Sequence, residues 1–459
     1  MNKQSNNRIS IMRDEPVAVA LIKLGVPTMI GMLISALYNA IDAYFVGGLG
    51  MSQIGAVSVV FPLVQIVVGI GMMFGTGASS YISRSLGKGD HAEANRAAST
   101  ALFFSVLVGA VMIMGIMVFL DPVLILLGAT DTILPYARDY VQIYAIGSMI
   151  NVFTVTMNSL LTAQGATNFT MIAMLTGSIS NVILDPIMIY VLDWGIEGAA
   201  IATVISLCVT MALYIGYIGT KQGVLRLSPR NIRLSPQLLG EILKIGIPVI
   251  LYQLLASASI GLTNSAANPY GDYAVAAMGV VTRIITVGNF IVYGFLKGFQ
   301  PFAGYNYGAK QFGRLKRAIR LCLIWSTVFE IAAAIILVIF AKPIVSLFGT
   351  DTEMIKLAST ALRLNAILFT TYGFLMTYAS LYLAIGKSLV GGLLTLSRQG
   401  IFFLPLIYVL PRLFQLSGII WTQPIADLLT AAVTLIFAIK INRALTAETS
   451  AQPQGGEQT

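Results

Sequence analysis

The feature that most constrains this chain is the length of its apolar segments. A helix needs about 20 apolar residues to cross the hydrocarbon core of a membrane, and the sequence contains twelve blocks of about that length or more. Only 10% of the residues are charged, whereas soluble proteins carry about a quarter. We therefore predict an all-α integral membrane protein with twelve transmembrane helices, placed at residues 21–45, 54–81, 97–120, 136–160, 168–192, 198–219, 239–264, 274–302, 318–340, 358–385, 388–410 and 418–441.

The distribution of basic residues predicts the orientation of the chain in the membrane. The net charge is +9, and 20 of the 28 Lys and Arg residues lie in the termini and loops on the side of the N-terminus. This asymmetry is typical of the cytoplasmic side of membrane proteins, so we expect both termini in the cytoplasm. The positive charge therefore reports how the chain is oriented among the membrane lipids. It does not indicate a nucleic-acid partner. Residues 1–16 are polar and lack the apolar region of a signal peptide.

The two halves of the chain are similar in sequence at an offset of 221 residues. Residues 22–27 align with 243–248, and Gly165 aligns with Gly386. Because each half contains an even number of helices, the two copies are expected to run parallel, with the substrate site between them. The predicted organisation is an N-terminal segment, an N-lobe of helices 1 to 6, a linker, a C-lobe of helices 7 to 12 and a disordered tail, at residues 1–16, 17–219, 220–237, 238–445 and 446–459.

Acidic residues at membrane depth are the main candidates for function, because a charge there is costly. Two of them, Asp42 and Asp185, lie in the N-lobe. The repeat aligns Asp42 with Thr263 and Asp185 with Leu404 or its neighbour. The two carboxyl groups are therefore specific to the N-lobe and are not part of the shared scaffold.

Further polar side chains of the N-lobe could complete a site around these two acids. Tyr38 and Asn181 precede them by four residues, which places each pair on one helix face. The other candidates are Tyr140, Asn158 and Thr203. We predict that the set binds a coupling cation and a cationic substrate. The alternative is a structural role, in which the acids hydrogen-bond between helices.

The C-lobe contains two further acids at membrane depth. Glu330 and Asp427 share their half with three basic residues at membrane depth, Arg283, Lys297 and Arg398. Structural ion pairs and a transport role both remain open for them.

Other sequence features narrow the mechanism. Pro27 lies within the first span and predicts a helix bend, serving either gating or a helix geometry shared with Pro248. The sequence has no phosphate-binding Gly-x-x-x-x-Gly-Lys motif and no His/Cys cluster. We therefore expect no cofactor, no ATP hydrolysis and no transition-metal site.

Several motifs occur together along the chain: YNAIDAYFVG at 38–47, ASSYISRSLGKGD at 78–90, NVILDP at 181–186, EGAAIAT at 197–203, GFQP at 298–301, YNYG at 305–308 and SRQG at 397–400. In combination, over about residues 15–445, they resemble the multidrug and toxic compound extrusion (MATE) family, in its DinF-like and MepA-like bacterial branch. It implies a V-shaped pair of lobes and an N-lobe cavity lined by Asp42, Tyr140, Asn158, Asn181, Asp185 and Thr203. The acids that other branches carry in spans seven and ten are missing here.

These features favour a secondary active efflux antiporter of a bacterial inner membrane, working as a monomer. It would export hydrophobic cationic small molecules in exchange for H⁺, with Na⁺ at Asp42 and Asp185 as the second choice. The alternatives are a lipid-linked oligosaccharide flippase of the same superfamily and a membrane-embedded enzyme. A flippase cavity should contain several basic groups, whereas we expect the N-lobe cavity to contain acids and no mid-membrane base.

Overall fold

A computed structural model describes residues 3–220 and 223–451 of the chain. In the first half, helices follow one another with short connections. They are α1 (Lys3–Arg13), α2 (Val17–Gly47), α3 (Met51–Gly87), α4 (His91–Val118), α5 (Leu120–Leu126), α6 (Leu134–Ala163), α7 (Thr167–Pro186) and α8 (Gly195–Gly219). A π-helical turn, Ile187–Val191, continues α7 beyond Pro186.

The second half repeats this order after a linker that contains a short 3₁₀ turn, Pro229–Asn231. Its helices are α9 (Pro236–Ala267), α10 (Asp272–Gly308), α11 (Phe312–Ile339), α12 (Ala341–Ser346), α13 (Thr352–Phe369), α14 (Tyr372–Ala384), α15 (Ser388–Leu396) and α16 (Phe403–Ala451). A π-helical turn, Ser397–Phe402, joins α15 to α16.

The number of membrane crossings follows from helix length. Within the described residues, ten helical segments are long and apolar enough to span a membrane, and α13 with α14 forms one more, bent by 47°. One of the ten, Ser388–Ser450, has 63 residues, or about 95 Å of helix, which is far more than one crossing needs. It contains a non-helical residue, Gln415, that divides it into two spans. The total of twelve confirms the predicted all-α fold.

The backbone shows the duplication independently of side-chain identity. Positive φ angles recur at the same offset: Gly50 and Gly271 have φ of 126° and 99°, and Gly165 and Gly386 both have 82°. A left-handed backbone favours glycine, which explains why these residues match between the halves. The short helices α5 and α12 also begin 221 residues apart.

Several predicted boundaries differ from the observed ones. The helices extend beyond the predicted spans because hydropathy marks only the part of a helix inside hydrocarbon. Residues 446–451, which we expected to be disordered, continue α16 as a helix, so this part of the tail prediction is wrong. Residues 1–2 of the N-terminal segment, residues 221–222 of the linker and residues 452–459 of the tail lie outside the described residues.

The two lobes pack against each other on one side of the membrane. We call the side with α1 and the linker the terminal side, and the opposite side the far side. Gly298 on α10 lies against the Leu24 carbonyl and Gly25 of α2, so closely that a Cβ atom would overlap them. Gly308 lies in the same way against the Arg84 carbonyl of α3. These backbone contacts belong to the terminal halves of their helices.

Hydrogen bonds between the halves show the same asymmetry. The Ser80 hydroxyl donates to the Leu383 carbonyl at 2.5 Å, and the Arg314 guanidinium donates to the Glu15 carbonyl at 2.7 Å. In the described part of the chain, all side-chain hydrogen bonds between the halves lie on the terminal half. The lobes are therefore closed on the terminal side and separate toward the far side.

Candidate functional site

The relative height of α2 and α7 is set by a contact near their first residues. Pro27 has no backbone N–H, so the carbonyl of Lys23, four residues earlier, loses its helical hydrogen bond. The Thr167 hydroxyl of α7 donates to that carbonyl at 3.0 Å. Asp42 follows Lys23 by 19 residues and Asp185 follows Thr167 by 18, a helical rise of about 27–29 Å in each case. Parallel helices in this register bring the two carboxyl groups to the same height.

The Asp42 and Asp185 carboxyl groups lie within hydrogen-bonding reach of each other. Asp42 is partly exposed, whereas Asp185 is 0% exposed. Two ionised carboxylates have only acceptor atoms and repel each other at this separation. A proton or another cation between them is therefore needed for the contact to be favourable.

The surroundings of the pair supply further hydrogen-bonding groups. The Asn181 amide donates to Asp185 Oδ1 at 3.1 Å. The second oxygen of Asp185 and the amide oxygen of Asn181 are buried without a donor. Tyr38 and Tyr140 lie close enough to both carboxyl groups to interact with them electrostatically. Buried acceptor oxygens without donors are the chemistry that a proton or a cation would satisfy.

At the far-side end of this site, Tyr190 and Phe45 form an aromatic contact that we call the clamp. The Tyr190 hydroxyl donates to the Phe45 carbonyl at 2.5 Å, and the two rings meet edge to face with centroids 6.3 Å apart. Tyr140 stacks on Tyr144, with ring centroids 5.9 Å apart. The clamp fixes the end of α2 next to the turn that follows Pro186.

Asn158 does not join the carboxyl pair. It follows Tyr140 on α6 by 18 residues, which is about 27 Å along the axis. Its amide nitrogen contacts the Tyr214 hydroxyl at 3.2 Å, and its oxygen accepts from Lys297 Nζ at 2.7 Å. The predicted set therefore divides into two groups at different depths.

Lys297 changes the expected charge of the N-lobe. It belongs to α10 of the C-lobe, yet its ammonium group reaches Asn158 on α6. We expect no mid-membrane base in the N-lobe cavity, but Lys297 of the C-lobe brings an ammonium group to Asn158, on the terminal half of α6. The sequence shows that Lys297 lies at membrane depth. Only the packed structure shows that its side chain crosses the interface between the lobes.

The remaining predicted residues have simpler surroundings. Thr203 lies on α8 and is partly exposed; within the described residues it forms no hydrogen bond with either carboxyl group. Pro27 is buried inside a single continuous helix, and its freed carbonyl is satisfied by Thr167. Thr167 is not among the residues predicted from the sequence, although the missing N–H of Pro27 signals that a donor is needed.

The acids of the C-lobe divide in a way that the sequence could not show. Arg398 and Asp427 form a buried ion pair with two contacts, at 2.8 and 3.3 Å, and the Gln423 amide donates to Asp427 at 2.7 Å. The charge of Asp427 is therefore balanced inside the protein by Arg398. Glu330 is 0% exposed and has no ion pair among the described residues.

Comparisons with known proteins agree with this architecture. The family model MatE matches the chain twice, at residues 27–187 and 248–409, an offset of 221 between the two starts. The multidrug export protein MepA of Staphylococcus aureus strain MSSA476 is 29% identical over 443 residues, which cover 96% of this chain and 97% of that protein.

Solved structures give the same result over nearly the whole chain. A crystal structure of MATE in complex with MaL6 has a TM-score of 0.91 at 27% identity and covers 97% of this chain and 100% of its own. The outward-facing conformation of a multidrug resistance MATE family transporter of the MOP superfamily has a TM-score of 0.90 at 26% identity, covering 97% and 99%. The chain belongs to the MATE family of membrane transporters.

Proposed function

We propose that this transporter is a multidrug efflux antiporter that exports hydrophobic cationic compounds in exchange for protons. The observation that carries the proposal is the contact between the Asp42 and Asp185 carboxyl groups. Such a pair binds either a proton or a positively charged ligand, because both lower the repulsion between the two carboxylates. Competition of this kind is what exchange of H⁺ for a cationic drug requires.

The accessibility of the pair supports the same mechanism. The lobes are closed on the terminal side and separate toward the far side, where Asp42 is partly exposed. A proton arriving from the far side reaches Asp42 first, and the buried Asp185 shares it. Protonation removes the negative charge that holds a cation, so the compound is released toward the side from which protons enter.

The choice of H⁺ over Na⁺ rests on the number of available ligands. Na⁺ requires several oxygen ligands at once, and we counted on Asn158 as one of them. Asn158 instead contacts Lys297, about 27 Å along α6 from Tyr140. A proton needs only the two carboxyl groups.

The two alternative functions are less well supported. Membership of the MATE family excludes a membrane-embedded enzyme. A lipid-linked oligosaccharide flippase would need several basic groups to hold a pyrophosphate. The N-lobe interior receives one, Lys297, which is hydrogen-bonded to Asn158.

The orientation and assembly belong to the same proposal. Basic residues on the terminal side place that side in the cytoplasm of a bacterium, so that the far side faces outward. The exporter is proposed to act as a monomer, with the two lobes of one chain forming the transport pathway.

Transport in lipid vesicles tests the function. Vesicles containing the purified protein and preloaded with a fluorescent hydrophobic cation should transport it when a pH gradient is imposed without Na⁺. A Na⁺ gradient at fixed pH should have no effect. Transport driven only by Na⁺ would show that the proton assignment is wrong, and absence of transport under both gradients would contradict the exporter assignment.

A further inference from the structure

The tenth span is broken in the interior of the C-lobe. Helix α13 ends at Phe369 and α14 begins at Tyr372, with a bend of 47° between them. The break contains two threonines and no proline. Their hydroxyl groups donate back to carbonyls at the end of α13, Thr370 to Ile367 at 2.7 Å and Thr371 to Leu368 at 2.9 Å. These bonds satisfy α13 but leave the first N–H groups of α14 without helical partners.

A buried carboxyl group lies beside the first turn of α14. Glu330 of α11 is 0% exposed, and its carboxylate lies near the backbone N–H of Gly373, in the first turn of α14. Neither carboxylate oxygen has a hydrogen bond of normal geometry within the described residues. A Cβ atom on Gly373 would lie 2.7 Å from Glu330 Oε1. Only glycine at position 373 therefore allows the carboxyl group to approach the backbone.

The basic residue that interacts with Glu330, Arg398, forms its ion pair with another acid, Asp427. Arg398 interacts electrostatically with Glu330, but it makes both of its close ionic contacts with Asp427. Its guanidinium also lies 4.7 Å from the centre of the Tyr372 ring. The charged and titratable groups around Glu330 and this ion pair are Arg398, Asp427, Tyr252, Tyr293 and Tyr372.

A protonated Glu330 also has a suitable partner. Ser326 lies one turn earlier on α11, and its hydroxyl donates to the Cys322 carbonyl at 2.7 Å. The oxygen of Ser326 can therefore accept a hydrogen bond. Ser326 and Glu330 lie on the same side of Gly373, which places the hydroxyl beside the carboxyl group. Ionised Glu330 is stabilised by the start of α14, and protonated Glu330 can donate to Ser326.

We propose that Glu330 is a second proton-binding site of this transporter, located in the C-lobe at the break of the tenth span. The ligand is a single proton, taken up by a carboxyl group that has a partner in each of its two states. Because the ionised form is favoured by the partial positive charge at the start of α14, proton uptake weakens the interaction that holds the bend. The site is separate from the Asp42–Asp185 pair and does not depend on which compound the protein exports.

Infrared difference spectroscopy tests this site without measuring transport. The full chain, purified in lipid with Asp42→Asn and Asp185→Asn, still contains Glu330. A pH titration between about pH 4 and pH 10 should show the carbonyl band of a buried carboxylic acid that disappears as the pH rises. Adding Glu330→Gln should remove this band, whereas adding Glu241→Gln, an exposed carboxylate paired with Lys244, should leave it unchanged.

A second variant guards against misfolding of Glu330→Gln. Glu330→Asp keeps a carboxyl group but shortens the side chain by one methylene, which withdraws it from the Gly373 N–H. The band should remain, with its midpoint shifted by about one pH unit or more. The proposal is overturned if the band persists in Glu330→Gln, if it does not change with pH, or if its midpoint is the same in Glu330→Asp.

Discussion

At the scale of single residues, the two lobes use acids for different purposes. Asp427 has an arginine within 2.8 Å, so its charge is neutralised inside the protein. Asp42 and Asp185 instead interact with each other. A pair of like charges stores unfavourable energy that a proton or a cationic ligand releases. The N-lobe pair is therefore suited to binding, whereas the ion pair of the C-lobe is suited to structure.

We expect Asp42→Asn and Asp185→Asn each to reduce drug efflux to roughly a tenth of the wild-type level or less. The amide keeps the shape of the side chain but can no longer exchange a proton or hold a cation. Efflux of a fluorescent cation from cells that lack their own exporters measures the effect. Asp131→Asn, an exposed residue of a far-side loop, is the matched control and should behave like the wild type.

Membrane abundance must be measured in the same cells. If either variant is present at normal abundance and still confers efflux, its carboxyl group is structural and the site assignment fails.

At the scale of helices, Pro27 and Thr167 act as one unit. The proline leaves the Lys23 carbonyl without its helical donor, and Thr167 supplies a replacement from the neighbouring helix. The same contact sets the height at which Asp42 meets Asp185. Pro27, which breaks a hydrogen bond within α2, thereby helps to set the register between α2 and α7.

A double-mutant cycle checks this pairing. Thr167→Val leaves a buried carbonyl unsatisfied and should destabilise the protein by about 1–3 kcal/mol. In a Pro27→Ala background the restored N–H satisfies that carbonyl, so the same substitution should cost much less. Thermal unfolding of the four purified proteins gives the coupling energy, and equal effects in both backgrounds would show that the contact does not carry the register.

The sequence predicted the elements better than it predicted their contacts. Span number, the repeat and the candidate acids follow from hydropathy, alignment of the chain with itself and the cost of buried charge. Asn158 was placed with Asp185 because both are polar and in the N-lobe, but helical rise separates them. Lys297 belongs to the C-lobe as predicted, but its contact with Asn158 of the N-lobe could not be predicted, because residue spacing along a chain does not show which neighbour a long side chain reaches.

At the scale of the whole molecule, one side of the protein holds the lobes together. Close glycine contacts, the α1 segment and the Lys297–Asn158 hydrogen bond all lie on the terminal half. An alternating-access transporter must break these contacts to open that side. The strength of these contacts therefore sets the balance between the conformation that is closed on the terminal side and the one that is open there.

Removing the Lys297 contact should shift this balance. A hydrogen bond to a charged group contributes about 1.5–3 kcal/mol, so Lys297→Met should increase the population of the opposite conformation by roughly tenfold or more. Distances between spin labels on the far-side loops, at Thr132→Cys and Thr350→Cys, report the two populations. Lys244→Met, an exposed lysine on the terminal side, should leave the distances unchanged, and an equal distribution in Lys297→Met would contradict this role.

The orientation in the membrane has its own test. In a variant without Cys208 and Cys322, single cysteines at the exposed positions Ala92 and Arg317 should resist impermeant thiol reagents in intact cells. A cysteine at Asp131 should react under the same conditions. Labelling of Ala92→Cys or Arg317→Cys from outside would reverse the proposed topology.

The central claim is that one carboxyl pair binds either protons or a cationic compound, and proton release on binding measures this most directly. Purified protein in weakly buffered, Na⁺-free solution is titrated with the hydrophobic cation ethidium while the pH is recorded. We expect protons to be released in proportion to the ethidium bound, and this release to be lost in the variant carrying Asp42→Asn and Asp185→Asn. Binding of ethidium to the wild-type protein without proton release, or equal release from the variant, would contradict it.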